Sequence, residues 1–318
     1  MILKFLIILI ALLIELNAND RAVRIIEKMK GEQRVALVIG NNDYQGALPK
    51  LHNPINDARA IRDILIERGF KKIIYREDAT KREMQKALNE FYRNIRRGGV
   101  GFFYFSGHGI EVDGRNYLIP IDANIEEKSD TVYEAFSLDK ITARMQNAKN
   151  RLNIVVLDAC RNDPFSRAVG KGGLAKMEPI GLFISFSTGA GQVASDGRVG
   201  ENGLFTKSLI KYMQKPLKLQ DVFRKTREEV YEASNQKQFP AIYDQTVKGD
   251  FYFTFPDNET LKENIYGNSY NYSSIDTSQN VNGTYRRATR KSIRSGKKSF
   301  EKRMDDEFED FVKDMEEE

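Results

Sequence analysis

Apolar residues in this chain of 318 residues occur in short unbroken runs, and between the runs they recur at helical spacing. A short apolar run without alternation is typical of a parallel strand that is buried on both faces. Such runs lie at residues 34–40, 72–75, 100–105, 155–157 and 181–187. A less regular run at 250–255 predicts an edge strand.

The segments between these runs predict helices. Their apolar residues recur every three or four positions within residues 54–69, 80–98, 138–148, 204–210 and 219–232. Thr80 and Glu83 have the spacing of a capping box at the start of the second helix. Strands that alternate with helices predict an α/β fold, a mainly parallel six-stranded sheet with helices on both faces.

The composition narrows the possible classes of protein. Hydrophobic residues make up 41% of the chain, which is enough to bury a substantial core. The 50 basic and 45 acidic residues nearly balance, so the net charge of +5 requires no nucleic acid partner. Cys160 is the only cysteine, and the two histidines are His52 and His108. This excludes an intrachain disulfide and a cysteine-built zinc site, and we expect neither a metal nor a cofactor.

The first residues predict export. Lys4 precedes an apolar run over residues 5–14, and the polar residues Glu15 and Asn17 follow it. This pattern is typical of a signal peptide over residues 1–18 with cleavage after Ala18. The alternative is an uncleaved membrane anchor, but the run is short of the roughly 20 residues that span a bilayer. We therefore expect a periplasmic or secreted protein without a stable membrane span.

The composition changes after the last predicted strand. We expect a folded domain over residues 33–255, a polar linker over 256–285 and a basic-then-acidic tail over 286–318. The tail is predicted to be helical from about residue 300, with apolar side chains on one face: Phe300, Met304, Phe308, Phe311 and Met315. Two interpretations stay open, a helix that binds a partner and a solvated charged helix.

Two predicted strands end in reactive side chains. His108 follows the run at 100–105, and Cys160 follows the run at 155–157. Because neighbouring parallel strands end at the same edge of a sheet, the imidazole and the thiol can meet there as a catalytic dyad. The imidazole would take the thiol proton and later protonate the leaving amine. The alternative interpretation of Cys160 is a buried, inert side chain.

Glycines flank His108 on both sides. A position without a side chain lets a substrate backbone approach closely and leaves its N–H accessible. The N–H groups of Gly109 and Cys160 are therefore candidate donors to the oxyanion that forms during acyl transfer.

The sequence Ser-Gly-His-Gly at 106–109, together with Asp-Ala-Cys-Arg at 158–161, resembles the caspase and metacaspase superfamily of cysteine peptidases. Residues 51–58 are similar to the family's segment before the first helix. Residues 187–197 are similar to the segment after the fifth strand in bacterial caspase-like proteins. The resemblance covers residues 34–255 and implies a caspase-like fold and an endopeptidase that uses His108 and Cys160.

Differences from animal caspases bear on specificity. Those enzymes carry Gln two residues before the nucleophile and Arg before the first helix, which together form a cationic pocket for a substrate aspartate. Here Asp158 stands two residues before Cys160, and no arginine lies near Pro54. A cationic pocket is therefore not expected.

Metacaspases instead have an acidic pocket that takes Arg or Lys before the scissile bond. The resemblance carries Asp57, Ser106 and Asp158 onto this pocket, with Asp196 as a weaker candidate. It implies protein or peptide substrates with basic residues. Asp57 could equally be an acid in the first turn of a helix, and Ser106 a strand-end hydroxyl bonded to backbone.

Other features leave alternatives open. Arg161 and Asn162 follow the cysteine where metacaspases typically carry His-Ser. Basic residues within 167–176 are conceivable self-cleavage sites in what is otherwise a plain loop, and nothing in the sequence indicates calcium regulation. The competing function is a non-catalytic caspase-like interaction module that recruits a partner through its tail. A weaker alternative is another hydrolase or acyltransferase with the same thiol.

Overall fold

The computed structural model of the chain describes residues 30–95, 99–159, 181–189, 200–246 and 250–257, with residues 23, 24 and 27. The predicted signal peptide, the loop at 167–176 and the tail at 286–318 lie outside the described residues, and so does nearly all of the predicted linker. The predictions made on them therefore stay predictions. Among the described residues, no helix has both the length and the apolar character needed to cross a membrane.

Nine strands lie in the described part of the chain. They are β1 (Arg34–Gly40), β2 (Lys72–Glu77), β3 (Val100–Gly107), β4 (Gly109–Val112), β5 (Arg115–Leu118), β6 (Phe136–Ser137), β7 (Leu152–Ala159), β8 (Leu182–Phe186) and β9 (Ala241–Asp244). Six of them form one sheet in the order β2-β1-β3-β7-β8-β9, and all neighbours except β8 and β9 run parallel. A smaller antiparallel sheet joins β4, β5 and β6.

Six α-helices connect the strands within the described residues. They are α1 (Pro54–Glu67), α2 (Lys81–Ile95), α3 (Thr131–Glu134), α4 (Leu138–Asn147), α5 (Leu204–Met213) and α6 (Leu219–Ala233). The predicted capping box begins α2, because the Thr80 N–H donates to Glu83 Oε2 at 2.9 Å and the Glu83 N–H donates to Thr80 Oγ1 at 3.3 Å. The capping residues predicted from local sequence therefore begin this helix as expected.

The main sheet is buried on both faces. Helices α2 and α4 pack on one face, through residues such as Phe91 and Ile141, against side chains such as Phe103 of β3. Helices α1, α5 and α6 pack on the other face, where Phe223 of α6 joins Phe102 of β3. Successive residues of a strand point to opposite faces of the sheet, so each central strand contributes side chains to both clusters. Because helices cover both faces, apolar residues are needed at every position, which explains the unbroken apolar runs. The predicted α/β architecture, a mainly parallel six-stranded sheet with helices on both faces, is confirmed.

The prediction of an edge strand at 250–255 is wrong. The sixth strand is β9, which pairs antiparallel with β8, whereas the 250–255 segment makes one isolated bridge from Tyr252 to Lys218. Phe251 and Phe253 are instead buried in the core on the α1, α5 and α6 face. A short, irregular apolar run fits either role, and the edge of β8 is already occupied by β9. The four residues of β9 are too few for periodicity to reveal them.

Arg34, the first residue of β1, holds this segment against the domain. Its guanidinium donates to the Tyr252 carbonyl at 3.2 Å and lies 4.7 Å from the ring centroid of Phe251 and 4.9 Å from that of Phe255. Burial lowers the pKa of Arg34 to about 10, and the negative charge of Glu32 opposes that shift. The group stays positively charged at neutral pH and makes cation–π contacts with both rings.

Candidate active site

Strands β3 and β7 are neighbours and end together. Their parallel register pairs Ser106 with Asp158 and, as the last pair, Gly107 with Ala159. His108 is the next residue after this pair on one strand, and Cys160 is the next residue in the sequence on the other. Cys160 itself lies outside the described residues. A catalytic dyad of His108 and Cys160 would require this register, in which the two residues follow directly after paired positions of adjacent strands.

The imidazole of His108 is oriented by a backbone carbonyl. His108 Nε2 lies 2.8 Å from the carbonyl oxygen of Pro49, in the loop that follows β1. A carbonyl only accepts, so in this contact Nε2 carries the hydrogen. In the neutral tautomer Nδ1 is then the proton acceptor, which is the state that a general base requires.

Tyr44 contacts both the backbone and the ring of His108. Its phenol oxygen accepts from the His108 N–H at 2.7 Å and donates to the carbonyl of Ile119 at 3.3 Å. The ring centroids of Tyr44 and His108 are 4.5 Å apart. A Cβ atom at Gly107 would lie 2.6 Å from the Tyr44 phenol oxygen, so this close approach requires glycine. Burial raises the pKa of Tyr44, which keeps the phenol protonated and able to donate.

The loop that carries Tyr44 and Pro49 is fixed by side chains that bind backbone groups. Asp78 Oδ1 accepts from the N–H groups of Asn42 and Asp43 at 2.7 and 2.8 Å. Asn42 Oδ1 in turn accepts from the N–H of Ile55 at the start of α1. Asn and Asp are common in such loops, because their short side chains can bind backbone N–H groups that no helix or sheet hydrogen bond satisfies.

Gly109 begins β4 directly after His108. The Ile119 N–H donates to the His108 carbonyl at 3.1 Å, and Gly109 pairs with Leu118 in the antiparallel register. This arrangement makes Gly109 and Leu118 a non-hydrogen-bonded pair, so the Gly109 N–H does not take part in the β4–β5 ladder. Gly109 also lines a small cavity together with Ala159, the last residue of β7.

Two hydroxyl groups, one from strand β3 and one from helix α5, form a series of hydrogen bonds that ends at the Asp158 carboxylate; we call it the hydroxyl relay. Thr206 of α5 donates from Oγ1 to Asp158 Oδ2 at 2.8 Å, and the Tyr104 hydroxyl lies 2.7 Å from the same Oγ1. Since the single hydroxyl proton of Thr206 goes to Asp158, the Tyr104 hydroxyl is the donor to Thr206. The relay directs two hydroxyl dipoles at the carboxylate and stabilises negative charge on it.

Asp57 lies on the same side of the sheet. This buried carboxylate stands in the first turn of α1, and its Oδ1 accepts from the N–H of Gly203, the residue before α5, at 2.8 Å. The pKa of Tyr104 is raised, mainly by burial and then by the negative charges of Asp158 and Asp57, while the hydroxyl groups of Thr206 and Ser106 oppose the shift. Both carboxylates therefore lie close enough to influence one phenol.

We refer to Asp57, Ser106 and Asp158 as the acidic cluster. Ser106 is buried, and its hydroxyl opposes the rise in the pKa of Tyr104, so all three predicted pocket residues influence this one side chain. Asp57 is also an acid in the first turn of α1, so the two roles considered for it from the sequence are compatible. Asp196, the weaker candidate, lies outside the described residues.

Several contacts at this edge were not predicted from the sequence. Tyr44 and Pro49 contact His108, and Thr206 and Tyr104 support Asp158. Tyr104 carries a faint signal, because a hydroxyl within a fully buried apolar run needs a partner. The other three lie in loop or helix positions whose local pattern points to no partner. The second histidine, His52, is exposed, and its carbonyl accepts from Asn42 Nδ2.

Residues 33–252 match the caspase domain family. The chain is 31% identical over 146 residues, 46% of its length, to human mucosa-associated lymphoid tissue lymphoma translocation protein 1. It is 25% identical over 263 residues, 75% of its length, to caspase-1 of Rattus norvegicus, and 33% identical over 113 residues, 30% of its length, to metacaspase-1 of Mycosarcoma maydis.

The matched regions cover 17%, 63% and 28% of those three relatives, so the chain spans less than two thirds of each. The family match covers most of this chain and coincides with the sheet whose strands β3 and β7 end at His108 and Ala159. The chain belongs to the caspase family of cysteine peptidases.

Proposed function

We propose that the protein is a cysteine endopeptidase that cleaves after Arg or Lys, with Cys160 as nucleophile and His108 as general acid and base. The observation that carries the proposal is the register of β3 and β7, whose last pair, Gly107 and Ala159, directly precedes the two reactive residues in the sequence. A nucleophile and its base need to be within hydrogen-bond reach, and adjacent strand ends can supply that proximity.

The proposed reaction proceeds through a thioester. His108 Nδ1 takes the proton from the Cys160 thiol, and the thiolate sulfur attacks the carbonyl carbon of the scissile bond. As the C–N bond breaks, the imidazolium returns its proton to the leaving amine. Water then attacks the thioester with the same imidazole as base, releasing the carboxylic acid and the thiol. The Pro49 carbonyl keeps the hydrogen on Nε2, so that Nδ1 is the nitrogen that exchanges the proton.

The oxyanion of the tetrahedral intermediate needs preorganised donors. The Gly109 N–H, which lies outside the β4–β5 ladder, is the proposed donor together with the Cys160 N–H. Removing one such donor typically costs about 3 kcal/mol of transition-state stabilisation.

The acidic cluster supports specificity for a cation. Asp57 and Asp158 bring two carboxylates to one side of the strand ends, where Tyr104 and Thr206 supply hydroxyl groups. A guanidinium or ammonium group would be attracted there, whereas a substrate carboxylate would be repelled by about 2–5 kcal/mol. Asp196 is proposed as an additional acid of the same pocket.

Labelling with a chloromethyl ketone that carries arginine tests the assignment. The wild-type protein should gain one adduct by intact mass, and peptide mapping should place it on Cys160. Cys160→Ala should give no adduct, and His108→Ala should react much more slowly. His52→Ala is the matched control, because it removes the other imidazole of the chain from an exposed position.

Reporter peptides with Arg, Lys, Gln or Asp before the scissile bond complete the test. Cleavage after Arg and Lys alone is the expected result. Equal labelling of the wild type and Cys160→Ala, with every reporter left intact, would refute a peptidase. That outcome would favour the non-catalytic interaction module.

A further inference from the structure

The face of the sheet covered by α2 and α4 carries a groove that the catalytic proposal does not use. It lies between α2, α4 and strands β5 and β6, with α3 at its edge, and has a volume of about 750 Å³. We call it the α2–α4 groove. His108 and the acidic cluster are absent from its lining, so its role is separate from that of the candidate active site.

The floor of the groove is apolar. Leu88 and Tyr92 of α2, Tyr117 of β5 and Ile141 of α4 line it and are buried. At its edge Val132 and Tyr133 are 50% and 76% exposed, although large apolar side chains are usually covered. Adjacent exposed apolar residues beside an apolar floor are typical of an interaction surface.

Basic side chains surround this floor. Among the described residues, one acid, Asp122, and five basic residues line the groove. The basic residues are Lys81, Arg82, Arg115, Lys140 and Arg144. Asp122 accepts from the backbone N–H of Lys81 at 2.7 Å and thereby caps α2. Lys140 and Arg144 stand four residues apart on α4 and so share one helical face.

Among the described residues, two of the five basic groups contact a partner side chain and three form no ion pair. Lys81 pairs with Glu134 at 3.4 Å, and Arg144 stacks 4.1 Å from the ring centroid of Tyr92. Within the described part of the chain, Arg82, Arg115 and Lys140 form no ion pair. The groove therefore presents uncompensated positive charge around an apolar centre.

We propose that the α2–α4 groove binds an acidic peptide segment of a partner protein, one whose carboxylates alternate with aromatic or other large apolar side chains. The apolar side chains would cover the floor together with Val132 and Tyr133. The carboxylates would pair with Arg82, Arg115 and Lys140. Charge complementarity of this kind directs partner choice and raises the association rate.

A peptide fits better than a single-stranded nucleic acid. Successive bases stack on a row of open aromatic faces. Here Tyr133 is exposed at the edge of the groove, but on the floor Arg144 covers the ring of Tyr92 and Tyr117 is buried. A small anion would use the charges and leave the apolar floor uncovered.

Fluorescence anisotropy with the full-length protein tests the proposal without reference to catalysis. The probe is a fluorescein-labelled peptide of Glu, Asp and Phe, with Phe at every third or fourth position. It should bind the wild type, and affinity should fall as salt is raised. Arg115→Glu with Lys140→Glu should weaken binding roughly tenfold, because two attractive exposed charge pairs become repulsive.

Matched controls use equivalent positions on other surfaces. Lys215→Glu with Lys237→Glu makes the same charge change at exposed lysines near α5 and α6 and should leave affinity unchanged. Tyr133→Ser should weaken binding several-fold, whereas Ile66→Ser, a change at a residue 58% exposed on α1, should have no effect.

Six results would each overturn the proposal. The probe could fail to bind the wild type, or it could bind the Arg115 and Lys140 double variant as tightly as the wild type. A peptide with Ser in place of Phe, inorganic phosphate or single-stranded DNA could bind equally well. Sedimentation could also show a self-associated protein that the double variant dissociates. Because binding is measured directly, each result stands whether or not Cys160 is a nucleophile.

Discussion

The phenol oxygen of Tyr44 accepts a hydrogen bond of 2.7 Å from the backbone N–H of His108. The same hydroxyl group is tied to the Ile119 carbonyl at the end of β5, and the Tyr44 ring lies against the imidazole. Tyr44 is therefore a positioning residue. It holds the turn between β3 and β4 from which His108 projects, through the backbone N–H and the ring face of His108, while Nε2 of the imidazole contacts the Pro49 carbonyl.

We predict that Tyr44→Phe lowers kcat by roughly tenfold, because small displacements of a catalytic group are costly, while KM changes little. The folded state should lose about 1 kcal/mol, the usual contribution of a buried hydrogen bond. Steady-state kinetics on an Arg reporter and urea unfolding measure the two effects. Tyr252→Phe, at a buried tyrosine packed near Arg34, is the control that should leave kcat unchanged. A change in KM alone would contradict the positioning role.

Asp158→Asn should abolish the preference for basic substrates. The amide keeps the shape and can still accept from Thr206, but it removes the negative charge. We expect kcat/KM for Arg reporters to fall by about a hundredfold, equivalent to about 2.7 kcal/mol, and kcat/KM for Gln reporters to change little. Asp63→Asn, at an exposed acid of α1 paired with Arg62, serves as the control. If the Arg-to-Gln ratio stayed constant in Asp158→Asn, the acidic cluster would have no part in specificity.

Thr206→Val separates the hydroxyl relay from the carboxylate itself. Valine keeps the β-branched shape but leaves the buried Tyr104 hydroxyl without its acceptor, so the free energy of unfolding should fall by about 1–3 kcal/mol. Selectivity for Arg should also decrease, because Asp158 loses the hydrogen bond from Thr206. Thr206→Ser retains a hydroxyl and should restore most of both properties. A serine variant no better than the valine variant would indicate that packing alone matters at this position.

Alkaline pH should destabilise the protein through its buried tyrosines. In the folded state the pKa of Tyr104 lies well above the ordinary value of 10.0, and that of Tyr44 is raised too, in both cases mainly by burial. A group whose pKa is raised on folding contributes stability that is fully present below the unfolded pKa and is lost as pH rises above it. The free energy of unfolding should therefore decrease once the pH exceeds about 10.

Urea unfolding at a series of pH values checks this expectation. The slope above about pH 10 should be smaller in Tyr104→Phe than in the wild type, because one of the responsible groups is gone. Tyr133→Phe, at a tyrosine 76% exposed, should keep the wild-type slope. Equal slopes in the wild type and Tyr104→Phe would contradict the assigned cause.

Arg34 provides a test of how residues 250–255 are held against the rest of the domain. Arg34→Gln removes the charge between Phe251 and Phe255 and weakens the contact with the Tyr252 carbonyl. We expect a loss of about 1–3 kcal/mol in the free energy of unfolding. Hydrogen exchange should rise at residues 250–255 more than at β9. The opposite ranking would indicate that 250–255 is not held through Arg34.

The amino-acid sequence by itself determined the elements whose signals are local. The run over Phe102 and Phe103 specifies a strand buried on both faces, and Thr80 with Glu83 caps α2, because each pattern depends only on neighbouring residues. The sequence also placed His108 at a strand end, and its resemblance to metacaspases carried Asp57 and Asp158 onto a pocket, which stays a prediction.

Only the tertiary structure decided which distant groups meet. The run at 250–255 and the four residues of β9 are both short candidates for the last strand of the sheet. In the folded protein β9 pairs with β8, and Phe251 packs beside Arg34 instead. Tyr44 contacts His108 across 64 positions, and Thr206 contacts Asp158 across 48. A hydroxyl group is compatible with many partners in sequence. Its partner is decided only in the folded protein. Packing of the sheet between two layers of helices fixes which strand ends and helix turns lie side by side, and thereby which groups can bind each other.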